Sequence, residues 1–194
     1  MQAAASLTAS GMVAVLGLDK SRVLDLINSV NEELGDEQVF IGNFLSPVNF
    51  TLSGTMEGCQ LIKKRGKFHG AKLVRQLPVS GAFHTKYMAP AITALEVALN
   101  KVDIKPPAIP VLSNVTGVPH TNCIDTMRRN LLKQLTEPVR WRDSLKFIFP
   151  KEYPPADVHA VEIGPGSVCS DLFKKFGESL DPKPTSINIK SSML

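Results

Sequence analysis

Between residues 11 and 78 the apolar positions switch between a strand period of about two and a helix period of about 3.6. Gly11 to Leu18 (GMVAVLGL) is a continuous apolar run of strand length. Asp19 and Ser21 then open a helix carrying Val23, Leu24, Ile27, Val30 and Leu34, which Gly35 stops. Val39 to Asn43 and Phe50 to Ser53 predict two strands around a Ser46-Pro47 turn. A second helix is expected from about Thr55 to Phe68, ending near Gly70, with Ala71 to Leu77 as the closing strand. The order β-α-β-β-α-β is a supersecondary unit in its own right, and it predicts a complete ferredoxin-like subdomain with two helices on one face.

After Pro78 the pattern changes to longer helices separated by single strands, the signature of part of a parallel α/β layer. Helices are expected over Lys86 to Val102, from Asp125 as N-cap to Leu135, over Arg142 to Phe149, and over Ser167 to Phe176. Strands are expected at Ile109 to Ser113 and Val158 to Ile163, with Ile187 to Ile189 as a last edge strand and Gly164-Pro165-Gly166 as a tight turn. The reading therefore divides the chain into a short preceding piece (1–10), the ferredoxin-like subdomain (11–78) and an α/β portion (79–194) with about three strands, fewer than an open sheet normally has.

Composition narrows the class. Of 194 residues, 43% are hydrophobic and 21% charged, the balance of a globular protein that needs no disulfide or metal staple. Cys59, Cys123 and Cys169 are odd in number and widely spaced, which argues against a disulfide framework or a zinc site and for a reducing compartment. No apolar run approaches the roughly 20 residues of a membrane span. The formal net charge of +4 favours an acidic partner without choosing among them. A nucleic acid is the weakest choice, because the expected strands lack aromatic residues at stacking positions.

The candidate chemistry centres on Pro78-Val79-Ser80-Gly81-Ala82-Phe83-His84-Thr85, where a strand ends in a small-residue turn and delivers a histidine just before a helix. An imidazole held at an element end by scaffold on both sides suits a general base; a surface histidine without chemistry is the alternative. Gly164-Pro165-Gly166-Ser167 resembles a phosphate loop but lacks the following lysine, and reads mostly as a β-to-α turn. Lys63, Lys64, Arg65, Lys67, Lys72 and Arg75 form a basic cluster, either a solvated face or a dock for an acidic protein or a phosphorylated cofactor.

Seven segments together carry a family resemblance: GMVAVLGLD (11–19), GNFLSP (42–47), LSG (52–54), LPVSGAFHTKYMAPA (77–91), PVLSNVTG (110–117), QLTEPVRW (134–141) and VEIGPGSV (161–168). In order and spacing the chain resembles the C-terminal two-thirds of the malonyl-CoA:acyl-carrier-protein transacylases, and the related acyltransferase domains of polyketide and fatty-acid synthases. The resemblance implies an α/β-hydrolase-like core beside the ferredoxin-like unit. It also implies malonyl transfer from malonyl-CoA to the phosphopantetheine thiol of an acyl-carrier protein, with no bound cofactor or metal. His84 then corresponds to the base of a Ser-His pair, oriented by a backbone carbonyl near Gln134. Phe83, in the Ala-Phe-His sequence that accompanies malonyl selection, is expected to line the acyl pocket, a contact worth about 1–3 kcal/mol of discrimination, or to pack in the core. Asn43 and Asn114 match positions near the site. The compartment implied is cytoplasmic, or mitochondrial or plastid if a transit peptide precedes the sequence.

The family's nucleophile sits in a G-x-S-x-G elbow, and no such motif occurs in these 194 residues. The arginine that grips the malonyl carboxylate and the oxyanion glutamine also fall before the position matching Met1. The chain alone is therefore expected to be inactive. A pseudo-enzyme that binds a carrier protein is the alternative reading.

Overall fold

The computed structural model describes residues 1–150, 157–164, 166–178 and 186–192. After a short helix α1 (Gln2–Ala5), strand β1 (Ser10–Leu16) enters the middle of a four-stranded sheet. Helix α2 (Lys20–Leu34) begins where the Asp19 carboxylate accepts the Arg22 N–H at 3.0 Å, and ends at Gly35, whose φ of 72° suits glycine. Strands β2 (Val39–Ser46) and β3 (Asn49–Thr55) form a hairpin around Pro47-Val48. Thr55 caps α3 (Met56–Arg65), and β4 (Leu73–Gln76) closes the sheet. The order is β2-β3-β1-β4 and every neighbouring pair is antiparallel.

The sheet's helix side is the main core. Val13, Val15, Leu18, Val23, Leu26, Val30, Phe50, Leu52 and Ile62 are all fully sequestered there. The alternation along β3 sends Phe50 and Leu52 into that core and Thr51 and Ser53 to the opposite face, which is also buried. That second face meets the rest of the chain. The Ala82 N–H donates to Ser10 Oγ at 3.1 Å, and Val139 pairs in parallel with Asn43.

Beyond residue 78 the architecture departs from the sequence reading in four places. The expected helix 86–102 is a 3₁₀ turn (Lys86–Ala91) followed by a shorter α4 (Ile92–Leu99), because Pro90 offers no N–H to an α-helical ladder. Ile109 to Ser113 is not a strand. It folds back on 118–120 through Ser113 N–H to Val118 O (2.9 Å) and His120 N–H to Val111 O (2.9 Å), with a single bridge at Leu112 and Pro119. Helix α5 (Ile124–Lys133) starts from Cys123, so Asp125 lies in its first turn rather than at the cap. The parallel layer consequently has two strands among the described residues, not three: β5 (Asp157–Ile163) and β6 (Ser186–Ser192), in register along their length. Helices α6 (Trp141–Ile148) and α7 (Val168–Glu178) match their expected places within two residues. Pro165, at the centre of the expected tight turn, lies outside the described residues; Gly164 and Gly166 on either side have φ of 145° and 86°.

Two small clusters hold this part together. Ala4, Ala5, Met88 and Leu135 join α1, the 3₁₀ turn and the end of α5; Leu145, Phe149, Val158 and Phe176 join α6, β5 and α7.

Candidate functional site

His84 is the only described non-glycine residue in the left-handed region, with φ of 63°. Such a conformation in a residue with a β-carbon costs on the order of 1 kcal/mol and must be imposed by its surroundings. The imposition is visible. Phe83 donates its N–H to Gly81 O (3.0 Å), Thr85 Oγ1 donates to Ala82 O (2.7 Å), and Thr85 itself is buried and begins the 3₁₀ turn. The chain is thus pinned on both sides of the imidazole.

The ring is half-buried, and its Nδ1 lies 3.0 Å from the carbonyl oxygen of Gln134, the residue that ends α5. A carbonyl can only accept, so Nδ1 carries the hydrogen and Nε2 keeps its lone pair. Burial lowers the imidazole's pKa below the usual 6.5, and the Gln134 carbonyl opposes that shift in part. Burial, the larger effect, favours the neutral imidazole near neutral pH, and the Gln134 carbonyl fixes the tautomer that leaves Nε2 free.

Gln134 is also held from its side chain, Asn114 Nδ2 donating to Gln134 Oε1 at 3.4 Å. Asn114 O in turn accepts the Arg140 N–H (2.8 Å), and the adjacent Val139 bonds to both Gly42 O and Phe44 N–H (2.9 Å each), straddling Asn43. The Asn43 side chain donates to Thr51 Oγ1 at 2.6 Å. The 134–140 segment therefore links His84, Gln134, Asn114 and Asn43 into one bonded chain of contacts. Phe83 goes elsewhere: it packs against the cluster of Ala4, Ala5, Met88 and Leu135.

A cleft of about 480 Å³ opens beside His84, walled by Ile27 and Asn31 of α2, Phe40 of β2, Lys86 and Pro138. A larger apolar groove of about 750 Å³ runs between α1, α4 and α5 and reaches Gln134. Among the described residues no three histidine, cysteine, aspartate or glutamate side chains converge as a metal site would need. No described helix is long and apolar enough to cross a membrane.

Two other sequence candidates resolve differently. The start of α7 is filled by the protein's own carboxylate: Glu162 accepts from Cys169 N–H (3.2 Å), Ser170 N–H (2.9 Å) and the Ser170 hydroxyl. Those bonds, the Ser170 hydroxyl first, hold its carboxyl below the usual range, leaving no open cradle for a phosphate. In the basic cluster, Arg65 is spent on Ser29 O (2.6 Å) and Glu33, while Lys63, Lys64, Lys67, Lys72 and Arg75 are exposed. Sequence reasoning missed the roles of Thr85, Val139 and Phe40, whose signals are tertiary: nothing local marks which strand edge residue 139 will join.

The chain is 35% identical over 169 residues to the malonyl CoA-acyl carrier protein transacylase of Bacillus subtilis, a match that takes in 87% of this chain and 51% of that protein. This chain is a homologue of the malonyl-CoA:acyl-carrier-protein transacylases. The crystal structure of the transacylase from Xanthomonas oryzae superimposes with a TM-score of 0.81 at 27% identity, covering 98% of this chain and 56% of that one. A transacylase in complex with a type II polyketide-synthase acyl-carrier protein gives a TM-score of 0.75 at 28% identity, covering 96% and 55%. No family model matches the chain. The chain spans about half the length of the transacylases it matches, against the two-thirds that the sequence reading assigned to it.

Proposed function

We propose that this chain supplies the base of an acyl-transfer centre, in which malonyl passes from a coenzyme A thioester to the phosphopantetheine thiol of an acyl-carrier protein. The observation that carries the reading is the 3.0 Å contact from His84 Nδ1 to the Gln134 carbonyl, which leaves Nε2 free beside a cleft. Homology to the transacylases, and the carrier-protein complex of one of them, support the substrate and the partner.

The chemistry runs in two half-reactions. A serine hydroxyl from outside these 194 residues attacks the malonyl thioester carbonyl while His84 Nε2 takes its proton. The C–S bond then breaks, and the departing coenzyme A thiolate receives that proton. In the second half the carrier's thiol gives its proton to His84, its sulfur attacks the serine ester, and the serine oxygen leaves with the proton restored. Gln134 and Asn114 hold the imidazole in place, and Asn43 fixes the strand edge that the 134–140 segment grips. Phe83 shapes the acyl pocket only through the packing of the turn before His84. No cofactor or metal takes part.

Within the same reading, residues 11–78 form a ferredoxin-like subdomain, supported by the antiparallel order β2-β3-β1-β4 with α2 and α3 packed on its core. Residues 79–194 are part of an α/β-hydrolase-like core, supported by the parallel β5-α7-β6 unit. A reducing compartment, cytoplasmic or organellar, suits its three free cysteines.

Malonyl transfer by the 194-residue chain alone is expected at background. Fused to the part of the Bacillus relative that it does not cover, it should gain activity, and His84→Ala should then lower kcat about 10²–10⁴-fold. Robust turnover by the chain alone, or an active fusion indifferent to His84→Ala, would overturn the proposal.

A further inference from the structure

Helix α3 buries one stripe and shows another. Cys59, Ile62 and Gly66 face the core, Gly66 so closely that a β-carbon there would meet the Val74 side chain at 2.6 Å. The helical pattern continues past Arg65, because the His69 N–H donates to Arg65 O at 3.1 Å. Residues three and four apart on a helix are neighbours, so Lys63, Lys64, Lys67 and Phe68 gather on the side away from the core. All four are exposed. Among the described residues none of the three lysines has a carboxylate partner, whereas Arg65 between them is paired with Glu33.

Cations in a last helical turn need no further reason, since they complement the carbonyl end of the helix. Phe68 does need one. Its side chain is 90% exposed, more than any other large apolar side chain among the described residues. A single ring standing out from a helix end beside unpaired lysines fits an anionic layer with apolar material beneath it. A folded protein would have to offer a fitted hole rimmed with carboxylates, whereas the interface of an anionic bilayer presents that order everywhere, headgroup phosphates above acyl chains.

The position of the patch leaves the candidate site free. The segment after Phe68 is tied to one end of β1, where the Lys72 N–H donates to Leu16 O at 2.8 Å. The turn before His84 is tied to the other end, where the Ala82 N–H meets Ser10 Oγ at 3.1 Å. Six strand steps separate Ser10 from Leu16, about 20 Å at about 3.3 Å per residue. A surface held at Phe68 therefore does not close the cleft beside His84.

We propose that Phe68, with Lys63, Lys64 and Lys67 around it, is a peripheral contact for membrane surfaces rich in anionic phospholipid. It stands apart from the acyl-transfer reading, and the contact is a reversible one, because one ring and a few charges do not anchor a protein permanently.

The test is sedimentation of the 194-residue chain with vesicles of phosphatidylcholine alone and of an equal mixture of phosphatidylcholine and phosphatidylglycerol. Binding is expected to the mixed vesicles only, and should fall away in about 1 M salt. Lys64→Gln and Lys67→Gln should each weaken it about fivefold. Phe68→Ala should weaken it about tenfold. All three side chains are exposed, so the core is untouched by these changes. In Phe68→Trp, the mixed vesicles should shift the emission to the blue beyond any change seen from Trp141 in the unaltered chain. Equal binding to both kinds of vesicle, or binding indifferent to Phe68→Ala, would overturn the proposal. So would lysine variants that lose affinity for holo carrier protein while keeping affinity for the mixed vesicles, an outcome that assigns the face to an acidic protein.

Discussion

The four-stranded region and the region after residue 78 are built on different terms. In the first, one continuous core of fully buried aliphatic side chains and Phe50 is enclosed by a sheet and two well-capped helices. In the second, two clusters of four buried residues each serve several elements, and large apolar side chains lie open: Ile109 is 73% exposed, Val161 61% and Ile163 65%. Val161 and Ile163 alternate on one face of a parallel pair, and parallel sheets ordinarily have both faces covered. The first region carries its own stability, whereas the second presents surface that a further layer would bury. His84 sits where the two meet, and so it depends on both.

The sharpest way to break this contrast is a pair of truncations. Phe50→Ala removes a fully buried ring that also packs edge-on against Phe44, and should destabilise the four-stranded region by about 3–5 kcal/mol in urea denaturation. Val161→Ala, at an open position, should change stability by no more than about 0.5 kcal/mol. Comparable losses for the two would mean that the second region is as well packed as the first. A smaller effect is expected at a cap: Thr55 Oγ1 accepts the Gly58 N–H at 3.2 Å and donates to Gln38 Oε1 at 2.9 Å, so Thr55→Ala should cost about 1 kcal/mol. An unchanged midpoint would show that α3 is held by packing alone.

What could be read from the sequence follows the same divide. The ends of α2 were legible because Asp19 and Gly35 act within a few residues of themselves. The β-α-β-β-α-β order was legible because alternation and caps are local, and the antiparallel order of the strands agrees with it. Ile109 to Ser113 was misread because an apolar run becomes a strand only with a partner; Pro110 removes one donor, and the run turns back on 118–120 instead. Pro90 divided a helix whose apolar spacing alone looked continuous. The family resemblance pointed to His84 and the carbonyl near Gln134, but the φ of 63° at His84 and the Val139 bridge to Asn43 arise from tertiary closure and leave no local signal.

The depressed His84 pKa also sets a pH dependence. Between the folded value and the unfolded 6.5, the unfolded chain binds the extra proton, so stability falls as the pH drops through that window and is insensitive to this group above it. His84→Ala should flatten that part of the profile; an unaltered slope would assign it to another group.

The base assignment is tested most directly by nitrogen-15 NMR of the histidine side chains across pH. The account predicts that at neutral pH His84 is uncharged, with hydrogen on Nδ1 and a bare Nε2, and that it titrates with a midpoint below 6.5. A hydrogen found on Nε2, or an imidazolium persisting at neutral pH, would contradict it.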